Sequence, residues 1–453
     1  MKIRLKPGNL FFDFKLIEQS IKLATLFVCA VASGSHAMQP LSAFLRGASQ
    51  SNYDNREARA MAAQRIQEAG QAWARLLPSV MMQSDFIRNQ YPGAAELPTG
   101  TAADGVPLPT RSVVISPEHQ RDVSVTATMP LLDIAVWNQI SAATATQEAE
   151  KARVATTVLD VQKTVAQTYY RLVGASVVAQ AARRTLAAAE DNAHYVGTRV
   201  GAGLASELDL KRAQVEVERD RQAIEDAYYS TIIQWRSLQT LTGLTPEADT
   251  AKEDSLLPED DLREEPPLER WNFSLGDLPS VRAAEHDRIA AERSASSSLA
   301  ALYPAVSASF SERATNAAGF GRSPAYAAQV LATWKLDAAT FKGARAQRCA
   351  AEASALRTER SRTEAADAIF DAWHLVRTQI AKSRAARSSR ESSRLALSVA
   401  REKYGSGLAN LLDVVQAERD AFSAEVANIQ AEADLASARA SLRLSAGRTL
   451  EMK

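Results

Sequence analysis

The chain has 453 residues, and its 53 basic side chains are balanced by 53 acidic ones, so it offers no electrostatic footprint for nucleic acid or another polyanion. Aromatic residues make up only 6% while alanine is abundant, a composition suited to close helix-on-helix packing and not to a bulky globular core. Two cysteines, Cys29 and Cys349, are too few for a disulfide framework.

Residues 1–37 read as an export signal. Lys2, Arg4, Lys6, Lys15 and Lys22 outnumber Asp13 and Glu18, an apolar run covers 23–32, and Ser35-His36-Ala37 puts small residues where a signal peptidase reads. An uncleaved anchor would need about 20 apolar residues, more than this run supplies. Lipid modification of Cys29 would want a small residue where Val28 stands. Once the signal is removed, Cys349 alone remains and no intramolecular disulfide can form.

Residues 41–77 read as helix and end at Pro78. Strands are expected over 79–91 and about 113–129, joined by a Pro and Gly-rich surface loop over 92–117. Val123, Val125, Ala127 and Met129 alternate with Ser124, Thr126 and Thr128, giving one apolar and one small polar face. A half-buried strand of any soluble sheet alternates in the same way.

From 133 to 200 the period changes to helical. Val158, Val165, Leu172, Ala179, Leu186, Ala193 and Val200 recur every seven residues, with Val161, Thr168, Ala175, Ala182, Ala189 and Val196 as a companion seam. These 68 residues would span about 100 Å at ~1.5 Å per residue. After a break at Gly201-Ala202-Gly203, the returning helix places Leu210, Val217, Ile224, Thr231 and Leu238 at the same spacing. Residues 245–269 are rich in Asp, Glu and Pro and read as a solvated linker.

The second half then repeats the first. A helix over 277–302 ends before Pro304, and strands follow over 305–313 and 325–334. Here Val306, Ala308 and Phe310 alternate with serines, and Tyr326, Ala328, Val330, Ala332 and Trp334 share one face. A shift of 204 positions carries Trp137 onto Phe341, Tyr169 onto Trp373, Leu238 onto Leu442, Gly243 onto Gly447 and the break at 201–203 onto Gly405-Ser406-Gly407. Solenoid units run to roughly 20 to 50 residues, so a repeat this long implies two large equivalent halves about a pseudo-symmetric axis. The chain therefore divides into a signal peptide (1–37), a first repeat (38–243), an acidic Pro-rich linker (244–276) and a second repeat (277–453). Four strands are too few to stand alone, but several chains could pool them into a closed barrel, the strand architecture that satisfies backbone groups in lipid.

Nothing in the chain reads as catalytic. His36, His119, His194, His286 and His374 are scattered away from metal-ligand spacing, and the Gly-x-Gly breaks do not follow strands. At both breaks glycine would supply a tight turn, and Ser206 with Asp209, like Asn410 with Asp413, would cap the next helix.

The order of these features, with Met129-Pro130-Leu131-Leu132-Asp133 opening the long helix and Tyr404-x-x-Gly407-x-x-x-x-x-Asp413 at the second break, resembles the TolC family of outer-membrane channels. The resemblance covers nearly the whole chain beyond the signal. It implies a mainly α fold with a small β portion: duplicated long-helix hairpins forming an α-helical barrel in a homotrimer, with four strands per protomer entering a 12-stranded membrane β-barrel. It implies an outer-membrane exit duct reaching into the periplasm, passive and without cofactors. Such a duct serves tripartite efflux or type I secretion with a periplasmic adaptor and an inner-membrane pump or ABC transporter. The rival reading is a non-channel periplasmic coiled-coil structural or adaptor protein.

By the same resemblance, Asp209 and Tyr404 would link neighbouring coils of the closed pore, and Asp413 would form a carboxylate ring on the trimer axis. Gly201, Gly203, Leu204, Gly405, Gly407 and Leu408 would form the tip that meets the adaptor. The chain departs from the family pattern at two places: Ala409 stands where an arginine would complete the closed-state network, and Gln416 where a second aspartate ring would lie.

Overall fold

The structure, a computed structural model, describes residues 38–98, 110–246, 262–271 and 275–450. The export signal expected at 1–37 lies outside the described residues.

The chain opens with helices α1 (Leu41–Ser51) and α2 (Tyr53–Ala74). The single helix expected over 41–77 is thus two. Asn52 takes an extended conformation between them, and its side chain accepts from the backbone N–H groups of Asp54 at 2.9 Å and Asn55 at 3.3 Å. A side chain able to cap the second helix ends the first. Strands β1 (Ser79–Arg88), β2 (Gly93–Pro98), β3 (Thr110–Ser116) and β4 (His119–Leu132) follow.

Here the sequence reading is corrected. The segment 92–117 contains an antiparallel β2–β3 pair, and Val113 and Val114 belong to that hairpin and not to the long strand. Asn89 pins its base, its backbone N–H donating to the Glu118 carbonyl at 2.8 Å and its side chain to the Pro117 carbonyl at 2.8 Å.

The long helices come next: α3 (Ile134–Gly201) and α4 (Glu207–Thr242) in the first half, then α5 (Pro279–Ala300), β5 (Ala305–Thr315), β6 (Ala325–Thr333), α6 (Ala338–Gly405) and α7 (Leu411–Ser445). Both α3 and α6 have 68 residues, about 100 Å, and both their ends are displaced by the 204 positions of the repeat. The caps repeat as well. The Asp133 carboxylate accepts from the Val136 N–H at 3.0 Å, and Asp337 accepts from the Thr340 N–H at 2.6 Å. Gly243 and Gly447 close α4 and α7 at φ 69° and 72°, the left-handed region that a Cβ disfavours.

Beside the sheet, α2, α3, α5 and α6 lie in that order. Toward the far end, α4 replaces α2 and α7 replaces α5, giving the order α4, α3, α7, α6. Close packing follows from small residues in the seams: Ala166, Ala181, Ala182 and Ala189 on α3 are buried, as are Ala433, Ala436 and Ala440 on α7.

Two apolar clusters lie about halfway along and echo the repeat. In one, Phe44 and Leu45 of α1 pack on Val165, Leu172 and Leu238; in the other, Trp271, Leu278 and Val281 pack on Ile369, Val376 and Leu442. The described part of the linker stays largely exposed but is anchored to the body at several points. Leu262 and Leu268 pack against the second cluster, Arg439 pairs with Glu265 at 3.1 Å, and Arg448 stacks over the Trp271 ring at 4.6 Å. Its acidic and proline-rich composition hid the apolar residues that bind it as a strap.

Candidate functional site: the membrane sheet and the helical tip

Strands β1, β4, β5 and β6 form one antiparallel sheet in that order, leaving β1 and β6 as its edges. Side chains directly opposite one another share a face. Val80, Ala127, Phe310 and Ala328 make one cross-strand row, and Met129, Ala308 and Val330 make another on the same side. The reverse face carries the rows Ser79, Thr128, Ser309, Gln329 and Met81, Thr126, Ser311, Ala327. One face is thus an apolar band and the other a polar wall, on which Arg313 pairs with Asp122 at 2.9 Å.

At the helical end of the strands, exposed aromatic side chains gather. Trp73 meets Trp137 edge to face at 5.9 Å, and the Trp334 indole donates to the Leu302 carbonyl at 2.8 Å. Amphipathic rings of this kind suit the boundary between lipid and water. Among the described residues, no helix is long and apolar enough to cross a membrane.

At the opposite end of the molecule the two helical hairpins turn. Gly203 sits at φ +72° and Gly407 at φ +76°, and each turn closes as a Schellman motif: the Leu204 N–H donates to the Arg199 carbonyl and the Leu408 N–H to the Lys403 carbonyl, both at 2.8 Å. Gly203 and Gly407 are therefore required by backbone conformation. Gly201 and Gly405, the last residues of α3 and α6, have helical φ, and a Cβ built on either meets nothing within 4 Å. Leu204 is 69% exposed and Leu408 80%, so each turn projects one bare leucine.

Asp209 and Asp413 occupy equivalent places. Each closes a capping box: Asp209 with Ser206, whose hydroxyl lies 2.6 Å from the carboxylate, and Asp413 with Asn410, whose backbone N–H donates to it at 3.2 Å. Asp209 is half-buried and also lies 3.8 Å from Arg212, whereas Asp413 is exposed.

Tyr404 is half-buried against Val196, Ala213, Leu411 and Val415, the cluster that joins the two hairpins. The Arg199 guanidinium lies over its ring at 5.1 Å and over the Tyr195 ring at 5.7 Å. Burial raises the Tyr404 phenol above its ordinary value; Arg199 opposes the rise, while Asp209 and Tyr195 add to it. Tyr404 and Asp209 thus lie within electrostatic reach, and the close contact of the ring is with Arg199.

Sequence reasoning missed Arg199 and Tyr195. Their spacing of four marks them as neighbours on α3, but the meeting with Tyr404 is made only by the packing of α3 against α7, which carries the end of α6 beside it. It also missed Glu216 of α4 and Arg419 of α7, which form a bidentate pair with Nη2 to Oε2 at 2.6 Å.

The profile of the outer membrane efflux protein family matches residues 44–244 and 274–448. The chain belongs to the outer membrane efflux protein family. It is an outer-membrane channel, its long helices forming the periplasmic extension, and the coiled-coil alternative without a pore is set aside.

Solved structures agree in fold. The MtrE channel of Neisseria gonorrhoeae, solved in an open state, superposes with a TM-score of 0.72 at 20% identity, covering 92% of this chain and 91% of that one. The CmeC channel of Campylobacter jejuni gives 0.73 at 15%, covering 99% and 94%. VceC of Vibrio cholerae gives 0.69 at 16%, covering 91% and 97%. The search of curated proteins found no match.

Proposed function

We propose that three copies of this chain form a passive exit duct, taking substrates from a periplasmic adaptor and an inner-membrane pump and releasing them outside the cell. The observation that carries this reading is the sheet: four strands, an apolar band on one face, a polar wall on the other, and edges at β1 and β6 that pair with no other strand among the described residues. Lipid does not satisfy free backbone groups, so the edges must pair between copies; three copies close twelve strands with the polar wall inward. The flanks of the helical part support the same contact. Exposed Tyr229, Ile232 and Ile233 on α4 and exposed Phe370, Leu375, Leu395 and Val399 on α6 mark the two outer helices of the four-helix row.

Energy for transport comes from the pump, and the duct itself performs no catalysis and binds no cofactor or nucleic acid. The tip residues Gly201, Leu204, Gly405 and Leu408 meet the adaptor's helices, with Gly203 and Gly407 fixing the turns that present them. Asp209, through its cap, and Tyr404, through Arg199, hold the mouth closed. Asp413, exposed at the start of α7, forms a ring of three carboxylates that favours cations in the pore.

Native mass measurement of the detergent-extracted protein tests the assembly: a trimer is expected, and a stable monomer overturns it. In planar bilayers, Asp413→Asn is expected to lower cation preference and sensitivity to block by multivalent cations. Unchanged selectivity would reduce Asp413 to a helix cap.

A further inference from the structure

On the reading of the tip as the mouth, widening it parts the two hairpins of each protomer, so a contact between them behind the tip opposes opening. Helices α4 and α7, one from each hairpin, come together over only a short stretch. Within it, the Arg419 guanidinium grips the Glu216 carboxylate: Nε donates at 3.0 Å to each carboxylate oxygen, and Nη2 donates at 2.6 Å to one of them.

The Glu216 side chain is only 8% exposed and that of Arg419 39%, so this pair is far better shielded than an ordinary surface bridge. Parting α4 from α7 would take the fork away from a shielded carboxylate and leave it only the looser Arg219 of its own helix, 3.9 Å away. A second ion pair between the two hairpins, Arg184 with Glu425 at 2.9 Å, is more open to water on both sides.

Glu216 is the tenth residue of α4 and Arg419 the ninth of α7, which puts the bridge about 12–14 Å behind the turns. A cavity of about 390 Å³ adjoins it, lined by Asp220, Leu397, Arg401 and Phe422, so the bridge is not locked in place by solid packing on every side. The position also bears on the departure at Ala409. Ala409 lies in the turn just before α7, and Arg419, ten residues on in that helix, is aimed at the opposite hairpin.

We propose that the Glu216–Arg419 bridge is a second latch of the closed channel, set back from the tip and acting by positioning α7 against α4. This rests on the reading of the tip as the periplasmic mouth. Glu216 and Arg419 are positioning residues: they set the separation of the hairpins and need not touch the substrate.

Single-channel recording of the purified trimer in planar bilayers tests it. Glu216→Gln and Arg419→Gln are each expected to raise the open fraction, roughly tenfold if protomers open independently, the worth of one charge-assisted contact, and more if they open together. Arg419→Lys, which keeps the charge but loses the fork, should fall between those variants and the parent. The exchanged pair Glu216→Arg with Arg419→Glu should return toward the parent, an outcome that loss of packing alone does not give. Trimer yield should stay unchanged.

Parent-like gating in assembled Glu216→Gln and Arg419→Gln trimers overturns the latch, as does an exchanged pair whose effect is the sum of the single changes. Arg419→Lys, the mildest change, decides the matter if the neutral variants fail to assemble: parent-like gating in it also overturns the proposal. Parent and variant trimers that all fail to conduct overturn the mouth reading itself, a result distinct from either failure of the latch.

Discussion

Replacing Arg199 by alanine should loosen the tip, and the structure fixes the scale of the effect. Arg199 lies between two rings, at 5.7 Å from Tyr195 and 5.1 Å from Tyr404. Tyr195 belongs to its own helix, so only the contact with Tyr404 crosses from one hairpin to the other. Cation–π contacts contribute about 0.5–1 kcal/mol when exposed and about 2 kcal/mol when desolvated, and a half-buried Tyr404 supports a value of about 1 kcal/mol per protomer.

If the three protomers open together, the contributions add to about 3 kcal/mol, and the open-to-closed ratio should rise on the order of a hundredfold. Independent opening would give about fivefold at each protomer. Tyr404→Ala should open the channel more than Arg199→Ala, since it removes the same contact together with the ring's packing on Val196, Leu411 and Val415 and its edge contact with Tyr195. Tyr404→Phe keeps the ring face and should remain near the parent. Single-channel open fractions of the three variants are the measurement. An Arg199→Ala channel within about twofold of the parent, or a Tyr404→Phe channel as open as Tyr404→Ala, would refute the argument, the latter by assigning the closure to the hydroxyl group.

The glycines of the tip should separate into two kinds. Gly203→Ala and Gly407→Ala place a Cβ at φ +72° and +76° and should each cost roughly 1–2 kcal/mol in the turn, read as faster amide exchange there. Gly201→Trp and Gly405→Trp add bulk into open space with helical φ, so trimer yield should stay normal while export in cells is lost. Full export by both tryptophan variants would sink the adaptor assignment. Burial, with the charges of Glu216 and Glu418, pushes the Asp220 carboxyl up to about 6 against the partial offset of Arg419; Arg184, Arg401 and Glu425 line the same cavity. The folded value lies above the ordinary value of 3.8, so folded protein binds the extra proton between about pH 4 and 6 and stability falls as pH rises through that window. Asp220→Asn should remove that component, measured as the difference between variant and parent melting temperatures at pH 4.5 and pH 7.5; equal differences at both values would exclude it.

Much of the architecture was legible because periodicity is local. Two-residue alternation marked β4, β5 and β6, and seven-residue spacing marked α3, with Val161, Val165, Leu172 and Val196 indeed buried. The duplication supplied its own check, since a cap or a left-handed glycine found at Asp133, Ser206 or Gly243 recurs 204 positions on at Asp337, Asn410 and Gly447. Capping and turn chemistry involve partners within about four residues, and the chain order already places them together.

What tertiary structure alone decided is which distant side chains meet. Residues 92–117 looked like a loop because Pro and Gly dominate the segment, yet β2 and β3 pair across it once Asn89 and Pro117 pin the ends. The described end of the linker reads as polar, and its anchoring to the body by Trp271 and Leu268 depends on Val376 and Leu442, more than a hundred residues away. The tip follows the same rule. Asp209 and Asp413 were visible as caps, whereas Arg199 on Tyr404 and Arg419 on Glu216 are contacts between hairpins. They depend on the rotation of long helices, about 100 Å for α3 and α6 and about 50 Å for α4 and α7, about their axes, and no local pattern encodes that rotation. It is set where the alanine seams of α3 and α7 interlock, since small side chains let the backbones approach and thereby bring the arginines within reach of the opposite hairpin.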